Sequence, residues 1–181
     1  GISDFFDLAI LVDFAHNMVP AAKNIGVLYN PGSEVTQAEM QEIERACAAQ
    51  KLTPVRIAGV TESDILGALK SSVRKIDLCV APTDNTISSV MPALADICKN
   101  THIPLIVADK TLVQAGPLAG IGMDYYQLGF NVGLGAVRVL LEGCEPQEIG
   151  IQNAEPEVAV NAATAAALTS FVQLHLPKEQ N

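Results

Sequence analysis

The sequence predicts an α/β fold, a doubly wound parallel sheet of about five to six strands with helices on both faces. Three observations point there. Short apolar runs alternate with longer amphipathic ones, the pattern of successive βαβ units. The apolar residues are mostly Ala, Val, Ile and Leu, aromatics are only 4% and Trp is absent, as in sheets covered on both faces. Hydrophobic residues make up 49% of the 181 positions and charged residues 17%, enough to fill a core and too apolar for a disordered chain.

The elements follow in order. Asp7 to Met18 reads as a helix with Leu8, Leu11, Val12 and Ala15 on one face. Asn24 to Tyr29 is a first strand, and Asn30-Pro31-Gly32-Ser33 is a turn that opens a helix running to about Ala49. That helix carries Met40, Ile43, Ala46 and Cys47 at helical spacing. Leu52 to Ala58 is a second strand, broken by Gly59. Thr61-Glu62-Ser63-Asp64 then reads as an N-cap with acidic first-turn residues. Ile65, Leu69 and Val73 stripe the helix that follows. Ile76 to Ala81 is the third strand, and a helix marked by Ile87, Val90, Leu94, Ile97 and Cys98 comes after the turn Pro82 to Thr86. Pro104 to Ala108 and Leu118 to Gly122 are the fourth and fifth strands. Met123-Asp124-Tyr125-Tyr126 opens a long helix that stops at Gly143, a plausible C-cap. Ile149 to Val160 holds two short extended pieces, Asn161 to Phe171 is Ala-rich and helical, and Pro177 to Asn181 is a polar tail.

Composition excludes several function classes. The formal net charge of -9 repels phosphate backbones, and no Lys/Arg run offsets it, so nucleic acid is not an expected partner. No apolar stretch is long enough to span a membrane. Cys47, Cys79, Cys98 and Cys144 have neither C-x-x-C nor zinc spacing, and the first three fall at apolar positions, which predicts buried free thiols. No metal and no cofactor is expected. A nucleophile elbow, a Walker A sequence and an H-E-x-x-H pair are all missing. His16, His102 and His175 have no evident Ser or Cys partner. The glycines of Gly116 to Gly122 precede and form a strand, so they are no dinucleotide fingerprint. Gly129, Gly133 and Gly135 suggest close helix–sheet packing. The opening residues lack a basic segment before an apolar stretch, and read as the middle of a longer protein.

In an open parallel sheet, ligands bind beyond the carboxyl ends of the strands. Polar residues concentrate there: Asn30 after the first strand, Thr83, Asp84, Asn85 and Thr86 after the third, Asp109 after the fourth, Asp124 and Tyr125 after the fifth. Each group also opens a helix, whose N–H groups and positive dipole end point to the same edge. Each residue taken singly is also an ordinary helix cap. Convergence on one edge makes the set a candidate ligand site. Of Tyr125 and Tyr126, one is expected in the core and the other against a ligand.

The runs Ile25-Gly26-Val27-Leu28-Tyr29-Asn30-Pro31-Gly32, Pro82-Thr83-Asp84-Asn85-Thr86 and Asp124-Tyr125-Tyr126 with Leu128-Gly129 resemble one family, over about Gly1 to Pro177. It is the ABC transporter substrate-binding proteins of the tryptophan/tyrosine-importer type, which have a type I periplasmic-binding fold. The resemblance implies two lobes that close on a small solute, amino-acid-like, and deliver it to ABC permease membrane subunits, from a periplasmic or lipid-anchored extracytoplasmic position. It makes residues 1–150 a ligand-binding lobe. Residues 151–181 become a return segment and C-terminal helix packing toward a first lobe that this chain lacks. Gly1-Ile2-Ser3-Asp4 resembles the family's crossover, and Val158-Ala159-Val160-Asn161 its late return strand. The Ala-rich end, Ala162 to Ala167, departs from a more basic helix usual in the family. Two other functions fit the residues: a ligand-sensing regulatory domain of the same fold, and an α/β enzyme acting on a small acid through Asp84 and Asp109.

Overall fold

The computed structural model describes residues 2–3, 6–153 and 155–177. The crossover residues Gly1, Asp4 and Phe5 and the tail residues 178–181 lie outside the described residues. Along the chain run β1 (Ile2–Ser3), α1 (Leu8–Met18), β2 (Asn24–Tyr29), α2 (Glu34–Ala49), β3 (Thr53–Ala58), α3 (Glu62–Ser72) and β4 (Leu78–Ala81). Then come α4 (Asn85–Ser89), α5 (Met91–Asn100), β5 (Leu105–Val107), a 3-10 helix (Lys110–Ala115) and β6 (Ala119–Met123). The chain continues through α6 (Tyr125–Leu140), a 3-10 turn (Pro146–Glu148), β7 (Gln152–Asn153), β8 (Pro156–Val160) and α7 (Ala162–Leu168).

Six strands form one sheet in the order β3-β2-β4-β5-β6-β8, and the pairs β2–β3, β2–β4, β4–β5 and β5–β6 are parallel. The register sets Ile25 beside Leu78 and Cys79 beside Leu105. β2 is followed outward by β3 on one side, and the chain then crosses to β4 on the other. The carboxyl ends of β2 and β4 therefore flank the point where strand order reverses.

Alternation along the strands explains the two covered faces. Leu28, Cys79, Ala81, Leu105 and Val107 join a core with Ile65 and Leu69 of α3, Ile87 of α4 and Leu94 and Cys98 of α5. α1 packs on β4 and β5, and α2 on β2 and β3. Their buried stripes are Leu11, Val12, Ala15 and Met18, and Met40, Ile43 and Cys47. Cys47, Cys79 and Cys98 are buried free thiols, as their apolar positions predict. Burial, with the Glu44 charge, pushes the Cys47 thiol up to about 11, so it stays uncharged and inert.

Two elements differ from the sequence expectation. The helix drawn through Ile87 and Cys98 is two helices, broken at Val90. Pro92 sits in the first turn of α5, where its missing N–H costs nothing, whereas a continuous helix would need that N–H. The segment after Asp109 is a 3-10 helix, ended at Gly116 with φ 120°. At Gly120 a Cβ would meet the Asp109 carbonyl at 2.7 Å, so the loop after β5 lies close on the β6 backbone because residue 120 has no side chain.

The chain divides into two compact units, one of residues 7–121 with 158–177 and one of residues 2–3 and 6 with 122–153 and 155–157. They interleave along the chain. In the smaller unit β1 and β7 pair in parallel, and α6 buries only Leu128. Tyr125 and Tyr126 are 71% and 82% exposed, so neither is in the core, contrary to expectation. A Cβ at Gly129, Gly133 or Gly135 would meet nothing within 4 Å. The close packing expected of these glycines is absent among the described residues.

Candidate ligand-binding site

The site begins with Asn30, directly after β2. Its Oδ1 accepts from the Gly32 amide at 2.9 Å, an Asx turn that folds the chain back toward α2. Its Nδ2 donates to Thr86 Oγ1 at 3.3 Å. One side chain thus bridges the loops after β2 and β4, the two strands of the switch point. The Thr36 hydroxyl, from the first turn of α2, donates to the Asn30 carbonyl.

Asp84 caps α4. Its Oδ1 accepts from the amides of Thr86 at 2.8 Å and Ile87 at 3.1 Å. Both bonds fall on one oxygen, and a carboxylate has roughly four acceptor positions, so Oδ2 can still meet a ligand donor. Thr83 and Asn85, on either side, are exposed. Asp109, after β5, accepts from the Thr111 amide at 2.8 Å and hydroxyl at 2.7 Å, again on Oδ1. Since β2, β4 and β5 are parallel and adjacent, the loops bearing Asn30, Thr83 to Thr86 and Asp109 leave from one edge of the sheet. In the smaller unit, Asp124 accepts from the Gln127 amide at 3.0 Å and caps α6, with Tyr125 exposed beside it.

Every one of these carboxylates is a helix cap, as its residue type alone suggests. Capping fixes the carboxyl group and spends part of its acceptor capacity. In the larger unit, what remains on the carboxyl edge of the sheet is a set of fixed oxygens and amides that can take a cationic or hydroxylated solute.

Sequence reasoning missed Glu39. It lies one turn after Thr36 on α2, flanking the buried stripe, and its Oε2 is buried with no hydrogen-bond partner. Burial first, then the charges of Asp84 and Glu42, push its carboxyl up to about 7. Among the described residues no group of three or more His, Cys, Asp or Glu could hold a metal ion. A groove of about 600 Å³ lies in the smaller unit instead, lined by Val132, Leu134, Arg138, Val139, Leu140 and Ile149. It is mainly apolar and lies along α6.

Comparison with known proteins agrees with this architecture. A family described as ABC transporter substrate binding protein matches residues 1–176. A tyrosine-binding protein of Clostridioides difficile (strain R20291) is 31% identical over 169 residues, covering 93% of this chain and 49% of that protein. The ligand-free, open structure of a substrate binding protein with adhesive properties from Clostridium difficile superposes with a TM-score of 0.88 at 27% identity, over 100% of this chain and 60% of that one. An ABC domain in complex with L-Trp from Streptococcus pneumonia gives 0.76 at 23% identity, over 98% and 60%, a likeness of fold. The chain thus spans about half to three-fifths of the length of these relatives. Their type I periplasmic-binding-like fold is the doubly wound sheet described above, and the chain belongs to the ABC transporter substrate binding protein family.

Proposed function

We propose that this chain is the second lobe of the solute-capturing protein of an ABC importer, and that the solute is an amino acid with an aromatic side chain. The observation that carries the proposal is the Asn30–Thr86 bridge, which ties polar loops together at the strand-order reversal of a family member. Asp84 takes the α-ammonium, assisted by Asp109. Exposed hydroxyl and amide groups of Thr83 and Asn85, with the amide ends of the capped helices, take the carboxylate. The tyrosine-binding relative supports this solute class. The reading requires binding without turnover, so the protein is a carrier and not an enzyme, placed outside the cytoplasmic membrane and meeting permease subunits there.

A first lobe completes the protein. α6 exposes Phe130, Val132, Leu134, Val137 and Leu140 in a chain about half the length of its curated relative. A helix this apolar on most sides belongs under cover. β1 and β7, two residues each, are too short to stand as a sheet by themselves. We assign both to an interface with the first lobe's sheet.

Calorimetric titration of L-tyrosine and L-tryptophan into the two-lobed protein and into this 181-residue chain tests the reading. The two-lobed protein should bind. The lone chain should bind more weakly by several orders of magnitude, because two or three desolvated hydrogen bonds to charge contribute roughly 1.5–3 kcal/mol each, at about 1.4 kcal/mol per tenfold. Equal affinities would refute the two-lobed cleft, and turnover of the bound solute would refute the carrier.

A further inference from the structure

We propose that Glu39 is a further wall residue of the ligand site, and that it couples solute capture to the release of one proton. The inference rests on the solute-capture reading and adds a residue, a direction of proton flow and a pH dependence to it.

The geometry comes from a chain of contacts. The Thr36 hydroxyl is bonded to the Asn30 carbonyl, Asn30 to Thr86, and Asp84 to the Thr86 amide. This sequence of bonds fastens the first turns of α2 and α4 to the switch point. Glu39 stands one turn further along α2 than Thr36. On its other side, Glu42 Oε1 accepts from the Leu8 amide at 3.1 Å, so the start of α1 lies beside the same stretch of α2. Glu39 is thus set among the starts of α1 and α4, on the carboxyl edge of the sheet. Glu42 has a partner and Asp84 has two, whereas Glu39 Oε2 is buried with none. A buried carboxyl oxygen without a donor is costly unless the group is protonated or a partner arrives.

Burial comes first, and the charges around Glu39 act in the same direction. Asp84 and Glu42 act on Glu39, and both are negative. α1 begins with Asp7, whose carboxylate accepts from the Ala9 amide, and carries Asp13 and His16 further along. β3 carries Arg56, which is held by Glu44 at 2.7 Å. β2 has no acid or base besides Tyr29. No cation of these elements pairs with Glu39. Without solute the carboxyl therefore keeps its proton near neutrality. A solute ammonium placed against Asp84 supplies the missing positive charge. Glu39 then ionises, its O–H proton leaves to solvent, and the carboxylate takes an N–H of the ammonium.

Titration of L-tyrosine into the two-lobed protein, in pairs of buffers that differ in protonation enthalpy, reads this directly. At pH 6 the protein should release close to one proton per solute, falling to about a tenth at pH 8. Affinity should rise about tenfold per pH unit from pH 5 to 6 and level off above pH 8. Glu39→Gln should bind with no proton release and a flat pH profile. Binding without proton release, proton uptake, or the same release from Glu39→Gln would overturn the inference while leaving solute capture standing. Failure of both L-tyrosine and L-tryptophan to bind would overturn the two together. If Glu39→Gln does not fold, carboxyl carbon NMR of the free wild-type protein replaces it. Titration of Glu39 in the ordinary carboxylate range would then reject the inference.

Discussion

The two compact units treat apolar surface in opposite ways. In the larger one, Leu11, Ile25, Ile43, Leu69, Leu78 and Leu94 are all fully buried, and both faces of the sheet are covered by helices of the same unit. In the smaller one, α6 is as apolar as a core helix yet buries a single side chain. The difference teaches that apolar content by itself does not make a core. The larger unit closes its burial within the chain, whereas the smaller unit leaves the apolar side chains of α6 exposed.

The largest effects should break this contrast if it is wrong. Leu69→Ala should destabilise the chain by about 2–5 kcal/mol, the usual cost of emptying a filled core site. Leu140→Ala, at a site 79% exposed, should change stability by less than about 0.5 kcal/mol in this chain. In the two-lobed protein the second substitution should become costly as well. Urea unfolding of both forms measures this, and equal effects of Leu140→Ala in the two forms would show that nothing covers α6.

Next in size is the separation of cap from ligand contact at Asp84. Asparagine keeps the capping oxygen and removes the charge. Asp84→Asn should therefore leave stability nearly unchanged and weaken L-tyrosine binding about ten- to a hundredfold. Asp84→Ala should lose that affinity and also about 1 kcal/mol of stability. Calorimetry alongside thermal unfolding distinguishes them, and unchanged affinity in Asp84→Asn would remove Asp84 from the site.

A smaller effect concerns Glu39 in the solute-free protein. Its carboxyl is pushed up to about 7, so the fold favours the neutral form and bears the cost of ionisation progressively as pH rises toward and past 7. Because the group is only half buried, solvent screening reduces that cost to about 1 kcal/mol. Glu39→Gln should raise the melting temperature by about 2–4 °C at pH 8 and leave it unchanged near pH 4. Equal shifts at both pH values would show that packing, not charge, is responsible. The smallest effect belongs to Asn85→Ala, which should reduce affinity less than about threefold, since an exposed rim group stays hydrated on one side.

Much of this was legible in the sequence because it is local. A β-branched run, a cap residue and a helical stripe each occupy consecutive positions, so β2 to β6 and their polar loops could be read directly. Glu39 was not, because between Thr36 and Met40 it looks like the solvent side of an amphipathic helix. Only the bonds through Asn30 and Thr86, which join residues 56 positions apart, reveal what lies beside it. The exposure of Tyr125 and Tyr126 was misread for a related reason. Helical spacing tells which residues share a face, but whether that face has a partner depends on residues far along the chain. The pairing of Ile2 with Gln152 is likewise beyond any local signal.

The edge next to β6 has a consequence for synthesis. β8 lies beside β6, the Asn161 amide donates to the Leu118 carbonyl, and the Thr164 hydroxyl donates to the Gly116 carbonyl at 2.9 Å. The larger unit is interrupted by 36 residues, 122 to 157, before its last strand arrives. At ribosomal speeds of roughly 5–20 residues per second, the nascent chain holds β6 with one side unpaired for roughly 2–7 s. During that interval the strand is open to pairing with another growing chain, and the arrival of β8 and α7 ends the exposure.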